Sequence, residues 1–330
     1  MTEPKQEPAG FASRPAYSSV LMTLGQFLGL VLIIALFAVL EPKLFFTLYN
    51  FRIVAVQTVI VALAAMGMTL IIISGGIDLS VGSVIALVTV STALALQHGW
   101  PPILAALVGV LTGATCGLLS GCFITGLRIV PFIATLGMLG IARGVAKYLA
   151  AEQKIDAIPG WLAQLMTKFP PWDWLALPVG VWLMAVLAVV MGLMLRYTVF
   201  GRYVFAIGSN EATARLCGIN VGRTKICIYA LAGLFTGLAG IMQFSRLTVG
   251  DPTVAMGKEL DVIAAVVIGG GSLSGGQGSI LGTMIGAFIM GFLRNGCDAI
   301  RVPNFVQEII IGVIIIAAVA VDQFRQRRRV

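Results

Sequence analysis

His98 is the single histidine, and the five cysteines, Cys116, Cys122, Cys217, Cys227 and Cys297, show no CxxC pair. No Ser/His/Asp set or metal cluster can be assembled around a lone histidine at the end of an apolar run, so no catalytic residue and no metal site are expected. Asp78 is the side chain that most demands an explanation. A carboxylate near the middle of a bilayer costs about 2.5–3.5 kcal/mol and is a functional candidate by default. It precedes an apolar run, where it could cap a helix by accepting from Ser80 or Val81, or act directly in gating or permeation. Arg143 and Lys147, one helical turn apart, could snorkel outward or line a cavity.

The elements that hold these residues are membrane spans. Hydrophobic residues make up 58% of the chain and charged ones 11%, against roughly 25% charge in soluble domains, and the mean hydropathy is +0.99. Apolar runs fall at 20–40, 51–73, 80–96, 103–125, 132–149, 175–195, 225–244 and 305–322, with shorter ones at 259–270 and 279–293. Backbone polar groups in lipid must be satisfied within the segment, and no long alternating stretches suggest a barrel. The expected fold is therefore one all-α polytopic membrane protein of about ten transmembrane helices, some short or broken. A polar tail, 1–19, precedes a transmembrane domain, 20–324, and a basic tail, 325–330, follows; the first span reads as an uncleaved anchor. Lys and Arg concentrate in 196–225 and in the last six residues, which places both N- and C-termini in the cytosol. The net charge of +8 then serves topology and contact with anionic lipid, and no nucleic acid is implied.

Glycines spaced four apart, Gly109, Gly113, Gly117 and Gly121, and again Gly278, Gly282 and Gly286, suit close helix packing within the chain or at a subunit interface. Two segments break the helical pattern at membrane depth: 74–80, followed by Gly82 and Ser83, and 269–278. Irregular backbone there is tolerated only when buried in protein or lining a watery cavity, which makes Gly75, Gly76, Asp78, Ser80, Ser83, Gly270, Gly271 and Ser274 candidates for a pathway or gate. Leu273–Gln277 spells LSGGQ, a nucleotide-contacting signature of ABC ATPases. It stands here among apolar spans, with no GxxxxGK[ST] loop anywhere to hold ATP.

The one long polar stretch, 196–225, resembles a handle held out to a soluble partner. Ser209 or Asn210 can cap a helix over 211–217, with Glu211 in its first turn and Gly218 ending it in the left-handed conformation. Two turns of helix are marginal in water and need packing. Ala212 and Leu216 offer a small apolar strip flanked by Glu211 and Arg215; the plain alternative is a basic loop resting on headgroups.

Three ordered motifs, SGGIDLSVGS at 74–83, GSNEATARLCGINV at 208–221 and VIGGGSLSGGQGSILGT at 267–283, resemble those of permease subunits of ribose-type sugar ABC importers, over roughly residues 20–325. The resemblance implies that Ser209, Asn210, Glu211, Ala212, Arg215, Leu216, Gly218 and Ile219 form a coupling helix that docks on a cytosolic ATPase. The chain departs from the broader importer pattern, since Glu211 and Gly218 are seven apart rather than six, Thr213 replaces an alanine and no Leu-Pro follows. The resemblance also implies a second permease subunit (homodimer or paralogue), an extracytoplasmic sugar-binding protein, and a bacterial cytoplasmic (inner) membrane location. ATP and Mg are used by the partner ATPase, and this chain binds no cofactor of its own. A pentose or hexose is the expected cargo, with nucleosides and polyols open. The alternative, an ion-coupled secondary transporter, calls for buried ionisable residues in several spans; the sequence offers Asp78, Arg143 and Lys147.

Overall fold

A computed structural model describes residues 16–167 and 177–327; the remaining parts of the two expected tails, and the start of the 175–195 run, lie outside the described residues. In chain order the helices are α1 (Ala16–Leu40), α2 (Pro42–Phe45), α3 (Leu48–Ile73), α4 (Val81–Gln97), α5 (Pro102–Gly126), α6 (Pro131–Leu149) and α7 (Gln164–Thr167). They continue with α8 (Val179–Tyr197), α9 (Val199–Ser209), α10 (Glu211–Leu216), α11 (Val221–Leu247), α12 (Lys258–Ile268), α13 (Ile280–Ala299) and α14 (Asn304–Arg327). Two-residue strands, β1 (Ile155–Asp156) and β2 (Val249–Gly250), pair antiparallel.

Each apolar run of the sequence falls on a helix, and seven helices are long and apolar enough to cross a membrane: α3, α5, α6, α8, α11, α13 and α14. Their boundaries follow from local chemistry. Pro102 and Pro131 sit in the first turns of α5 and α6, where the missing N–H is no loss. Thr47, Asn220 and Ser279 cap α3, α11 and α13 by accepting from the amides of Asn50, Arg223 and Gly282. One sequence expectation needs correction. The run 279–293 belongs to a 20-residue helix, because Arg294 and Asp298, which end the apolar run, find partners inside the protein. α1 begins at Ala16 and α14 runs to Arg327, with apolar stretches at Leu24–Leu40 and Asn304–Phe324.

α3 is the axis of the bundle: 89% of its most apolar window is buried, and that stretch is largely apolar all round, as a helical segment sealed from water and lipid must be, while Leu48 and Tyr49 at its start are exposed. α11 packs alongside it and against α5 through glycines. A Cβ on Gly233 would lie 2.9 Å from the Cα and N of Gly117, and one on Gly113 would lie 2.6 Å from the Cα of Gly237. The stripe Gly109–Gly121 is thus an internal seam. Gly286 likewise faces the Ala265 backbone and Gly282 faces Gly269, whereas Gly278 lies ahead of α13 in the loop.

Helix directions sort the loops into two sets. The C-terminal ends of α3 and α12 and the N-terminal ends of α4, α11 and α13 share one end of the bundle with α9 and α10; Ser272 there also bonds Asp322 of α14 at 2.8 Å. The opposite end carries the β1–β2 ribbon and the 251–257 turn. Arg143 ties that turn down by donating to the carbonyls of Pro252 (2.8 Å) and Val254 (2.9 Å), while Lys147 is exposed. His98 stands exposed after α4, its Nδ1 2.8 Å from the Leu94 carbonyl.

Gly233→Val is expected to destabilise the bundle by about 1–3 kcal/mol, the usual cost of overpacking, and to lower the thermal midpoint in detergent. Gly144→Ala, where an added Cβ meets open space, should not. Equal midpoints for the two variants would contradict an α5–α11 seam set by backbone contact.

Candidate functional site

The three sequence motifs meet at one point. At the end of α3, Ile73 presents its carbonyl to the amide of Gly276 at 2.8 Å, so the second broken segment hangs directly on the first. Gly208, in the last turn of α9, is wedged against the same pair: a Cβ there would come within 2.7 Å of the Gly276 nitrogen and 2.8 Å of the Ile73 carbonyl carbon. Gly275 and Gly276, both at positive φ, face the Gly208 and Ser209 backbone in turn. No side chain separates the three segments, so α9, the end of α3 and the 269–279 loop form one backbone joint.

Around this joint the first break is pinned by polar contacts. Asp78 is buried and its Oδ1 accepts from the Ser80 amide (2.8 Å) and hydroxyl (2.7 Å). The N-cap position of α4 is Ser80, which makes no side-chain capping bond. The bond from the Ser80 amide is the one expected of Asp78, but it stabilises the turn ahead of the helix, because Ser80 holds the N-cap position and no bond from Val81 accompanies it. The Tyr229 ring of α11 overlies this turn, since a Cβ on Gly76 would sit 2.5 Å from its hydroxyl. Ser83 is buried one turn into α4, and Gly75 is exposed. In the second break, Gln26 of α1 donates to the Gly269 carbonyl at 2.8 Å, and Gly271 is buried while Gly270 and Ser274 face outward. A buried Thr69–Thr283 hydroxyl pair at 2.7 Å links α3 and α13 just inside the joint.

α10 projects from the joint. Asn210, in extended conformation, caps it by accepting from the Thr213 amide at 2.9 Å; Ser209 instead ends α9, so the choice between the two caps resolves to Asn210. The helix ends at Leu216, and Gly218 follows at φ +83°, the left-handed turn expected of a glycine there. The packing that a helix this short requires comes from Ala214, which is buried against Ile207 and Val221 with Ile219 alongside. Ala212 and Leu216 point away from the bundle, Leu216 with 89% of its surface exposed. Glu211 is held from two sides, by Lys225 at 2.6 Å and Arg215 at 3.1 Å. Between α10 and the turn joining α5 to α6 lies a groove of about 740 Å3 lined by Arg128, Glu211, Arg215 and Lys225.

Several of these residues escape sequence reasoning. Gly208, Gly275 and Gly276 lie inside the motifs, but nothing in their spacing says that they touch. Lys225 reads as one more loop cation until the fold brings it 14 residues back onto Glu211. Asp261, 1% exposed and paired with Lys258 and Arg294, corrects the expectation that Asp78, Arg143 and Lys147 are the chain's ionisable groups at depth. Among the described residues no group of three or more His, Cys, Asp or Glu side chains could hold a metal ion.

Residues 50–319 match the family described as branched-chain amino acid transport system / permease component. The chain is 40% identical over 306 residues to the ribose import permease protein RbsC of Escherichia coli (strain K12), covering 93% of this chain and 95% of the relative. It is 34% identical over 300 residues to the D-allose transport system permease protein AlsC of the same organism, 91% of each chain. To the L-arabinose ABC transporter permease protein AraH of Azospirillum brasilense it is 35% identical over 313 residues, 91% of this chain and 88% of the relative. No solved structure matches.

The hydrogen bond from Lys225, reinforced by the charges of Lys225 and Arg215, holds the Glu211 carboxyl below the usual carboxylate range. A depressed folded value adds stability that is complete above the unfolded value of about 4.3 and is lost as pH falls through the folded one. Amide exchange across 213–217, corrected for intrinsic rates, should stay protected down to about pH 4.3 and open below it. Lys225→Met should move that opening to higher pH; an unchanged profile would show that the pair does not hold α10.

Proposed function

The chain belongs to the branched-chain amino acid transport system / permease component family and is a permease of an ABC importer, and on that premise we propose that it forms the translocation pathway for a monosaccharide, a pentose or a hexose. The family description speaks of amino acids and the individual relatives of sugars. Identity of 34–40% over at least nine-tenths of the chain is the closer measure, and it favours the sugar. It also favours an ATP-driven importer over an ion-coupled secondary transporter, whose main support would be the buried Asp261–Arg294 pair.

In this reading ten helices cross the cytoplasmic membrane, with α1, α4 and α12 completing the seven, and both chain ends lie in the cytosol. α10 is the coupling helix. Ala212 and Leu216 enter a groove on a cytosolic ATPase, while Glu211 and Arg215 set the register and the cations beside them meet acidic groups. ATP and Mg are bound and used in that partner, and an external binding protein delivers the sugar. A second permease subunit, a copy or a paralogue, completes the pathway.

The backbone joint carries this reading. A push on α10 reaches α9 through Asn210 and Ser209, and Gly208 passes it to Ile73 and Gly276 with no flexible side chain to absorb it. Packed interfaces of this kind switch between discrete arrangements and do not deform continuously. Both breaks would therefore change together, opening or closing the pathway at Gly75, Gly76, Asp78, Ser80 and Ser83 on one side and at Gly270, Gly271 and Ser274 on the other.

With the ATPase and binding protein co-reconstituted, Glu211→Ala combined with Arg215→Ala should lower ATP-dependent uptake about tenfold, the equivalent of roughly 1.4 kcal/mol of docking, with membrane insertion intact. Normal uptake together with normal ATPase co-purification in the double variant would refute the docking role.

A further inference from the structure

The strand β2 leads into a segment that starts at the end of the bundle away from the joint and descends beside α4. A Cβ on Gly250 would lie 2.7 Å from the Cβ of Ala93, and the Asp251 amide donates to the Thr89 hydroxyl at 3.3 Å. Further on, the Ala255 carbonyl and the Glu259 carboxylate press on the backbone of Gly82, in the first turn of α4. From Ala93 to Gly82 is about 16 Å along a helix axis, roughly half of a hydrocarbon core ~30 Å thick. α12 starts at that depth, and its 11 residues carry the chain over the remaining half to the joint. Residues 249–257 are thus the non-helical half of one crossing, a third break at membrane depth.

Non-helical backbone at this depth is tolerated only inside protein or against water. The segment is fixed from one side. Arg143 donates through Nη1 to the carbonyls of Pro252 and Val254, the Asp251 carboxylate accepts from the Thr253 amide at 2.8 Å, and Ala255 and Gly257 hold positive φ. Its outer edge is uncovered: Thr253 is exposed, and Met256 and, just after it in α12, Leu260 are 73% and 45% exposed. Lipid is excluded from this edge by the same rule. Two charges decide between water and the surface of another subunit. Arg143 and Glu259 are only partly buried, and neither forms an ion pair among the described residues. An ionisable group at membrane depth without a charged partner faces a water-filled space, whereas a dry subunit contact would strand both charges.

We propose that Thr253, Met256 and Leu260 line the watery passage about halfway across the membrane, and that Arg143 is the positioning residue that holds this edge toward it. The inference rests on the importer reading and adds to the two breaks at the joint a lining surface remote from them. The test uses the assembled permease–ATPase complex in lipid nanodiscs, with the five native cysteines replaced by alanine and one thiol introduced. It is labelled with a charged, water-soluble methanethiosulfonate and read by mass spectrometry. Because a charged reagent is excluded from lipid, the thiol of Met256→Cys should react at least about tenfold faster than that of Ile316→Cys, on the exposed face of α14. Adding Arg143→Met should slow the Met256→Cys reaction about fivefold to tenfold, the equivalent of one lost hydrogen bond, and Arg143→Lys should restore most of it. Should Arg143→Met fail to fold, Arg143→Gln, which keeps an N–H donor, takes its place. Labelling of Met256→Cys as slow as that of Ile316→Cys, with or without a disulfide between two copies, would overturn the lining surface. An equal rate with and without Arg143 would overturn the positioning role. The thiol reaction needs no cargo, so uptake measured in parallel separates the two readings. Slow labelling in a system that takes up sugar sinks this inference alone, and fast labelling in one that takes up no sugar sinks the sugar-importer reading alone.

Discussion

A helix in lipid gains little by burying apolar surface against another helix, since the tails it leaves are as apolar as the neighbour it meets. What remains is dispersion, which falls off within an ångström of contact, and that makes backbone proximity the condition on which this bundle depends. The glycine seam between α5 and α11 meets it, as do the Gly282–Gly269 and Gly286–Ala265 approaches between α13 and α12. α3 can be apolar all round because these seams close the ring of helices about it. The same condition, applied at Gly208, seats α9 directly on the end of α3 and on the 269–279 loop.

The two ends of the bundle use polar groups differently. At the joint, hydroxyls and carbonyls hold irregular backbone in place: Asp78 on Ser80, Gln26 on Gly269, Ser272 on Asp322. The first two satisfy a backbone group that the broken helices leave open, as membrane depth requires, and the third ties the loop to α14. At the opposite end, polar side chains line space. Lys258, Asp261 and Arg294 are anchored to each other. One end holds irregular backbone in place and the other buries a cluster of ion pairs, and α3, α11, α12 and α13 run between them.

Hydropathy makes the helices legible, because the length of an apolar run and the solvation of backbone groups are local properties. Proline at N1 and Asn or Ser at an N-cap fix boundaries for the same reason. The reading falters where a polar residue is rescued by tertiary contact. Arg294 and Asp298 ended an apolar run although the helix continues to Ala299. Asp78 reads as a cap because carboxylates near helix starts usually are, and only the fold places Ser80 in that position. The motifs announced the 208–221 segment and both breaks. Their convergence could not be read, because glycine carries no side chain whose chemistry names its neighbour.

α10 divides its labour by residue. Ala214 alone among its six positions is buried in the protein, on Ile207 and Val221, while Ala212 and Leu216 have no role in holding the helix. The surface offered outward can thus drift without cost to the fold, and the anchor can persist while the outward surface changes. Under the coupling role proposed for α10, a lineage of such proteins can re-pair with a different motor by altering two or three exposed side chains, leaving the membrane domain and its cargo untouched.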